Sequence, residues 1–334
     1  MKKFLLWCFL LVILLGGLVT WTGFWYSEQP LAVSRGTAEF VIPNGVTMRQ
    51  AAEAISKAGV RIDPRLLALL ARVTDRAKQI KAGCYQVNAG ITPWQLILKL
   101  EKGEVVRSSV LLVEGWTFRQ MREVLEKHPD LQQDTASLSN AEILSRIGAT
   151  EAQPEGLFFP DTYVFDKRSS ALDVFARAYH AMQANLNNEW NGRMRDLPLK
   201  SPYEALILAS IVEKETGRNE DRTRIANVFI NRLRTQMRLQ TDPTVIYGMG
   251  DKYDGRLRTV DLQTDTPWNT YTRKGLPPTP IALPGKASLH AALHPEGGDM
   301  LYFVARGDGS SEFSRTLKEH NRAVERYIRG RPQN

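Results

Sequence analysis

Cysteine is scarce in this sequence of 334 residues, which contains only Cys8 and Cys84. Two thiols exclude a disulfide-rich scaffold and a zinc finger built on several cysteines. The sequence also lacks a phosphate-binding loop, a dinucleotide fingerprint and the Gly-x-Ser-x-Gly elbow of many hydrolases. Apolar residues make up 43% and charged residues 24%, which excludes wholesale disorder and a collagen-like fibre.

Charge is absent from residues 4–26, and Lys2 and Lys3 precede them. At about 1.5 Å per residue, this run is long enough to cross a bilayer core of roughly 30 Å. The lysines favour a cytoplasmic N-terminus, which places the rest of the chain outside. Aromatic residues suited to a membrane interface cluster at the far end of the run: Trp21, Trp25 and Tyr26. The sequence therefore predicts a cytoplasmic tip at 1–3 and a single transmembrane helix at 4–26.

A cleaved signal peptide is the alternative, with Ala32 and Ser34 as small residues at the cleavage site. The apolar run is longer than the 7–15 residues of a signal core, which favours an uncleaved anchor. Cys8 would lie in the membrane and Cys84 outside it, so no disulfide is expected, and Cys84 is expected to be a small buried residue.

The net charge is +8, and without Lys2 and Lys3 it is +6 on residues 28–334, so the part outside the membrane is mildly basic and suits an anionic surface or polymer. No nucleic-acid-binding signature occurs, and a nucleic-acid partner is not expected on the far side of a membrane. No cofactor is indicated.

A short pattern of strand, glycine turn, Thr N-cap and amphipathic helix occurs three times near the N-terminus. The predicted helices follow Thr47, Thr92 and Thr117. The first two copies could close into one α+β domain at 37–106. Further on, a β-hairpin is expected at 301–314, and Asp242 is expected to be the N-cap of a helix that starts at Pro243. The aromatic segment 155–163 is typical of a packed turn, and the alternative is that its aromatic side chains line a groove.

The helix predicted at 203–216 is apolar nearly all round, which is typical of a helix buried within a domain. It ends in Glu213-Lys214-Glu215-Thr216-Gly217, with Gly217 as the expected stop. Glu215 lies at i+7, i+4 and i+3 from Leu208, Ile211 and Val212, whereas Glu213 points to another side. Burial and the negative end of the helix dipole are both expected to raise the pKa of Glu215, as a general acid requires.

Glu213 and Glu215 could instead be paired with Lys214, Arg218 or Arg222. Ser210 and Lys214 have the spacing of a Ser/Lys dyad, but their helix is too apolar for one. His290 and His294 have the spacing of a metal-binding pair, but no zincin motif surrounds them, so no metal site is expected. Downstream loops offer aromatic and polar residues that could stack on sugar faces or bond hydroxyls. The candidate substrate-binding residues are Gln240, Thr241, Asp242, Tyr247, Trp268, Asn269 and Tyr271.

Several motifs resemble the YceG-like (MltG) family of membrane-anchored endolytic murein transglycosylases. The run Ala209–Thr216 is similar to the active-site helix of that family. The resemblance extends over nearly the whole chain, and Trp268 departs from it because tyrosine is expected there. The other matching segments are 155–156, 159–163, 227–233, 237–248, 269–271, 275–278 and 284–285.

The resemblance implies an α+β architecture in which 37–106 is a LysM-like peptidoglycan-binding domain and 107–330 is a mixed α+β catalytic domain, lysozyme-like around the active-site helix. It implies that Glu215 is the catalytic acid and base. The substrate would be nascent peptidoglycan strands, cut without water to leave 1,6-anhydro-MurNAc ends. The implied location is the inner membrane, with a periplasmic catalytic domain and peptidoglycan synthases as candidate partners.

Two other functions stay open. A hydrolase of the same bond needs a second carboxylate, for which Glu213, Glu220 and Asp242 are candidates. A membrane-anchored peptidoglycan-binding scaffold would need no catalytic acid at all. The products of the reaction distinguish these functions, since hydrolysis leaves a reducing end.

Overall fold

The computed structural model describes residues 2–329 and has a mixed α+β fold, as the sequence predicts. The chain divides into two compact units. The N-terminal unit contains the residues up to Ser108 together with Val164–Ser169, and the C-terminal unit contains Ser109–Tyr163 and the residues from Ser170 onward. The return of the chain to the N-terminal unit at 164–169 was not predicted.

Helix α1 spans Lys2–Ser27. Within it, Phe4–Ser27 is long and apolar enough to cross a membrane, and its apolar side chains are exposed. A signal sequence has the same properties, so both interpretations of this segment stay open.

In the N-terminal unit, β1 and β2 pair in antiparallel register, with Phe40 opposite Tyr85. Helices pack on this pair over one apolar core, and Cys84 is buried in the unit as expected. Helix α3 was not predicted as a separate element. The elements are β1 (Thr37–Ile42), α2 (Met48–Lys57), α3 (Pro64–Val73), β2 (Gly83–Asn88), α4 (Pro93–Lys102) and, at the edge of the unit, β3 (Arg107–Leu111).

The predicted threonine caps are confirmed. Thr47, Thr92 and Thr117 each accept a hydrogen bond from the backbone N–H three residues later, and a glutamine there closes a capping box. Helix starts of this kind are local, because each cap bonds only within its own first turn.

In the C-terminal unit, helix α8 (Pro202–Glu215) is the central element, and α7, α9, α10 and α12 pack against it. Its residues from Ala205 to Val212 are all buried. The helix ends because Thr216 is extended (φ −147°, ψ 138°), and Gly217 is not left-handed, which corrects the expected glycine stop. The other α-helices and strands of this unit are α5 (Phe118–Glu126), β4 (Leu131–Gln132), α6 (Asn140–Arg146), α7 (Ala171–Asn191), α9 (Asn219–Arg234), α10 (Asp242–Met249), α11 (Thr259–Gln263), α12 (Lys286–Leu293), β7 (Tyr302–Ala305), β8 (Ser311–Ser314) and α13 (Leu317–Val324). Strands β5 (Thr162–Asp166) and β6 (Ser169–Ser170) lie where the chain enters and leaves the N-terminal unit.

The predicted hairpin is confirmed, with Phe303 of β7 opposite Phe313 of β8. The predicted N-cap at Asp242 is wrong by one residue, because Asp242 is the first residue of α10 and Thr241 is its N-cap. No side chain caps this helix. The hydroxyl of Thr241, which would normally do so, bonds to a residue of another helix.

Candidate active site

Glu215 is the last residue of α8, and its side chain is half-buried. The hydroxyl of Thr241 donates a short hydrogen bond to its Oε1. The carboxyl therefore lies where the buried helix meets the start of α10, and one of its oxygens is held in place.

Burial raises the pKa of Glu215 to about 7. The negative charge of Asp242 raises it further, whereas the Thr241 hydrogen bond and the positive charge of Arg232 lower it. Because the pKa is close to neutral pH, this carboxyl can release and recover a proton under ordinary conditions. The helical pattern predicted the raised pKa and its main cause.

A buried set of threonines fixes the position of Thr241. The Thr241 N–H donates to the hydroxyl of Thr270 over 3.1 Å, and Thr270 in turn bonds the Thr244 hydroxyl over 2.8 Å. Gln240, just before, has a positive φ of 49°, a conformation that costs free energy in a residue other than glycine. Thr244 and Thr270 were not predicted, although both lie within the matched motifs.

Asp242 and Tyr271 form a second polar pair beside Glu215. The Tyr271 hydroxyl donates to Asp242 Oδ1 over 2.5 Å. Burial and the Asp242 charge both raise the pKa of Tyr271, so it stays a neutral donor. Asp242 is exposed and Tyr271 is half-buried, as groups that meet a ligand would be.

Tyr247 and Trp268 form an aromatic pair, with ring centroids 5.5 Å apart and planes at 65°. The Trp268 indole N–H donates to Thr279, which fixes the ring. Gly248 allows the segment that carries Trp268 to pack closely on α10, because a Cβ at position 248 would lie 2.7 Å from the Thr266 hydroxyl. Both rings are half-buried, so each keeps part of its surface available for stacking.

Asn269 does not fit the predicted role in substrate binding. It is fully buried, and its amide N–H groups donate to the carbonyls of Asp261, Leu262 and Thr264. Its Oδ1 accepts the backbone N–H of Tyr271 over 2.8 Å. Since these bonds occupy both ends of the amide, Asn269 shapes the loop that presents Tyr271.

Glu155 is a buried carboxyl that was not predicted as a site residue. It accepts the Phe118 N–H over 2.9 Å and the Tyr247 hydroxyl over 3.1 Å. Burial raises its pKa to about 7. The adjoining Phe158 is fully buried against Phe118, which favours the packed-turn interpretation of this segment. The sequence signal that could have indicated a buried acid here is the position of Glu155 in a segment rich in aromatic residues.

Glu213, the predicted second acid, is already bonded within the protein. Its Oε2 accepts the Gly285 N–H over 2.9 Å, and its Oε1 lies 3.5 Å from the Arg222 guanidinium. Both side chains are less than a tenth exposed, at 6% and 9%. Glu213 is thus a buried ion-pair partner, as the sequence left open. Because both of its carboxylate oxygens have partners within the protein, it does not fit the predicted role of second acid. Ser210 is likewise bonded, to Ile207 and Ile281.

The histidine pair has a partner that the sequence did not reveal. His290 Nδ1 lies 2.9 Å and His294 Nε2 lies 3.6 Å from the same carboxylate oxygen of Glu189, on α7. These three groups could together offer three ligand atoms to a metal ion. The carboxylate also suffices as an ion-pair partner for either imidazole.

The described residues thus define a mixed α+β protein with a glutamic acid of raised pKa at the end of a buried helix. The YceG-like family model matches residues 40–326. The chain belongs to the YceG-like family.

Relatives in several bacteria resemble the chain. The endolytic murein transglycosylase of Bacillus subtilis (strain 168) is 32% identical over 312 residues, covering 88% of this chain and 86% of its own length. The protein of that name from Streptococcus pneumoniae serotype 2 (strain D39 / NCTC 7466) is 26% identical over 322 residues, and the match spans 58% of its length. The crystal structure of a yceG-like protein from Listeria monocytogenes has a TM-score of 0.55 at 29% identity, covering 86% of this chain and 99% of that chain.

Proposed function

We propose that this protein is an endolytic murein transglycosylase and that Glu215 is its catalytic acid and base. The observation that carries the proposal is the half-buried carboxyl of Glu215, with a pKa of about 7 and one oxygen held by Thr241. The names of the Bacillus and Streptococcus relatives support the reaction class.

The proposed reaction cleaves the β-1,4 bond between MurNAc and GlcNAc. Protonated Glu215 donates its proton to the GlcNAc O4 as the C1–O4 bond breaks. The resulting carboxylate then takes the proton of the C6 hydroxyl of the same MurNAc, while O6 attacks C1 and closes the anhydro ring. Glu215 ends protonated, and no water is consumed. One carboxyl suffices because the attacking hydroxyl is part of the substrate, which also gives the advantage of an intramolecular reaction.

The substrate contacts are assigned to partly accessible side chains of α10 and of the loop around Tyr271. Tyr247 and Trp268 would stack on sugar faces, while Tyr271 and Asp242 would bond hydroxyl or acetamido groups. Gln240, which precedes Thr241 and α10, is exposed, and we keep it as a proposed substrate-binding residue. Thr241 is reassigned from substrate binding to positioning Glu215.

The rest of the chain is proposed to bring this site to the cell wall. Residues 4–26 would anchor the protein once in the inner membrane, with a cytoplasmic N-terminus. Residues 37–106 would form a LysM-like domain that binds peptidoglycan, and 107–330 a periplasmic catalytic domain, lysozyme-like around α8. Peptidoglycan synthases are proposed partners, because cleavage of nascent strands would end their elongation.

The direct test uses the full chain with uncrosslinked glycan strands, whose lengths and end groups are then measured. Internal cuts with anhydro-MurNAc ends are expected. Unchanged strand lengths together with retained strand binding would contradict the proposal and favour the scaffold.

Replacing Thr241 by valine is expected to move the alkaline limb of the pH–activity profile to higher pH. The Thr241 hydrogen bond favours the carboxylate of Glu215, so its loss raises the pKa. Loss of the positioning bond should also lower kcat by about tenfold, since a hydrogen bond to a charged group contributes roughly 1.5 kcal/mol. Thr241→Ser keeps the hydroxyl and should retain the wild-type profile. An unshifted limb in Thr241→Val would contradict the positioning role.

Replacing Asp242 by asparagine should move the same limb to lower pH, because the negative charge that raises the pKa of Glu215 is removed. Asparagine can still accept the Tyr271 hydrogen bond. This variant also tests the hydrolase alternative, because Asp242 lies beside Glu215 and could be the second carboxylate that a hydrolase needs. A transglycosylase should still produce anhydro ends, whereas a hydrolase that used Asp242 as its second carboxylate would lose nearly all cleavage.

A further inference from the structure

Helix α3 has two apolar faces, although a helix on a domain surface normally needs only one. Leu67 and Ala71 are fully buried in the core of the N-terminal unit. A second set follows the i, i+3, i+4, i+7 spacing and forms a stripe that faces outward: Leu66, Leu69, Leu70 and Val73. Within this stripe, which we call the outer stripe, Leu69 is 55% and Val73 77% exposed. Leu70 is partly buried and also packs against the core, whereas Leu66, Leu69 and Val73 are exposed and do not contribute to it.

The outer stripe shares a groove with the end of α1. This groove has a volume of about 820 Å³ and is lined by the last turns of α1 and the following Glu28, by α3 and by Trp94 of α4. Its α1 side includes Val19, Phe24 and Trp25, which belong to the candidate membrane span. Apolar side chains of α3 thus lie beside the last turns of a helix that is itself suited to lipid.

This position fixes the depth at which α3 would lie. If α1 spans the bilayer, then Trp21, Trp25 and Tyr26 lie at the outer interface, where aromatic side chains are enriched. Because α3 lines the same groove as these last turns, it lies at the same level. The outer stripe would then face the boundary between headgroups and acyl chains.

Charge around the outer stripe also fits a lipid surface. Arg65 and Arg72, seven residues apart, are both exposed and flank the outer stripe on one side. The first turn of α3 contains no acidic residue, and the acidic groups nearby, Asp63 at its N-cap and Glu28 of the groove, lie at one end of the groove near Tyr26. Cationic side chains beside an apolar helical face are typical of helices that lie in the interface of membranes with anionic lipids.

We propose that the outer stripe of α3 inserts into the outer interface of the bilayer that holds α1. This inference rests on the proposed membrane anchor and goes beyond it. The N-terminal unit would be attached at two places, the span and the interfacial helix, and could not turn freely about a flexible tether. The peptidoglycan-binding domain would thereby be held against the membrane surface in a defined orientation.

The test measures the depth of single labelled sites in the full chain, in vesicles of phosphatidylethanolamine and phosphatidylglycerol. An environment-sensitive fluorophore is attached to Leu69→Cys or Val73→Cys in a Cys8→Ser background, since Cys84 is buried. Phe24→Cys, in α1, reports the anchor. Gln86→Cys, exposed on β2 and outside the groove, is the matched control. Nitroxide-labelled lipids and aqueous iodide serve as quenchers.

Labels at positions 24, 69 and 73 are expected to be quenched by the lipid nitroxide and protected from iodide, while the label at position 86 shows the reverse. Quenching by lipid at 24 but not at 69 and 73 would overturn the proposal and leave the anchor intact. Protection of 69 and 73 from both quenchers would overturn it in favour of a covering protein or second copy. Absence of lipid quenching at 24 would reject the anchor and this proposal together.

Discussion

Glu215→Gln is expected to lower the rate of glycan cleavage by roughly 10²–10⁴-fold, the usual contribution of general acid–base catalysis. An amide can neither give a proton to the leaving oxygen nor take one from the attacking hydroxyl. Its carbonyl oxygen can still accept the Thr241 hydrogen bond, so the local packing should be retained. The rate of appearance of new strand ends measures the effect.

The matched control is Glu220→Gln, which makes the same change at an exposed residue of α9 paired with Arg218. It should cleave at the wild-type rate, and both variants should keep the wild-type melting temperature. A Glu215→Gln protein with more than about a tenth of wild-type activity would contradict the assigned role. A large loss in Glu220→Gln would instead support Glu220 as the second carboxylate of a hydrolase.

Arg222→Met is expected to lower the free energy of unfolding by about 3–5 kcal/mol, because it leaves Glu213 as a buried, unpaired charge. Arg222 and Glu213 are both nearly inaccessible, and burial together with the nearby Glu213 charge raises the pKa of Glu114, whereas Arg222 lowers it. Removing the cation thus leaves the buried Glu213 carboxylate with the Gly285 N–H as a partner but without a counter-charge. Urea denaturation of the wild type and variant measures the loss.

The double variant Glu213→Gln/Arg222→Met separates the charge effect from lost packing. A glutamine can still accept the Gly285 N–H. The double variant should recover much of the stability, because no unpaired charge is left. A single Arg222→Met variant within about 0.5 kcal/mol of wild type would show that the pair contributes little, as an exposed pair does.

The parts of the fold that could be predicted are those decided within a few residues. The capping boxes at Thr47, Thr92 and Thr117 each use one threonine and one glutamine three positions later. The buried character of α8 was likewise evident from its apolar residues. In each case the determining contacts lie in the same element or follow directly from its composition.

Predictions failed where a side chain forms a hydrogen bond with a residue outside its own local segment. Asp242 has a good N-cap sequence, but the Thr241 hydroxyl bonds Glu215 instead of the helix, and α10 begins one residue early. Asn269 lies in a promising loop, but the carbonyls of residues 261–264 occupy its amide. These partners are separated in sequence or folded back by the loop, so no local pattern could reveal them.

The two acids at the end of α8 illustrate the same limit. Helical spacing separates Glu215 from Glu213 and predicts that Glu215 follows the buried stripe. It does not predict that Gly285, 72 residues away, bonds Glu213. The raised pKa of Glu215 could therefore be predicted from the sequence, whereas the bonding of Glu213 within the protein could be seen only in the fold.

The fate of water in the reaction tests the central claim most directly. Full-length protein is incubated with uncrosslinked glycan strands in H₂¹⁸O, and the new MurNAc ends are analysed by mass spectrometry. Internal attack by the C6 hydroxyl predicts ends that lack one water relative to a reducing end and contain no ¹⁸O. Reducing MurNAc ends that carry ¹⁸O would show that water is the nucleophile and would contradict the transglycosylase assignment.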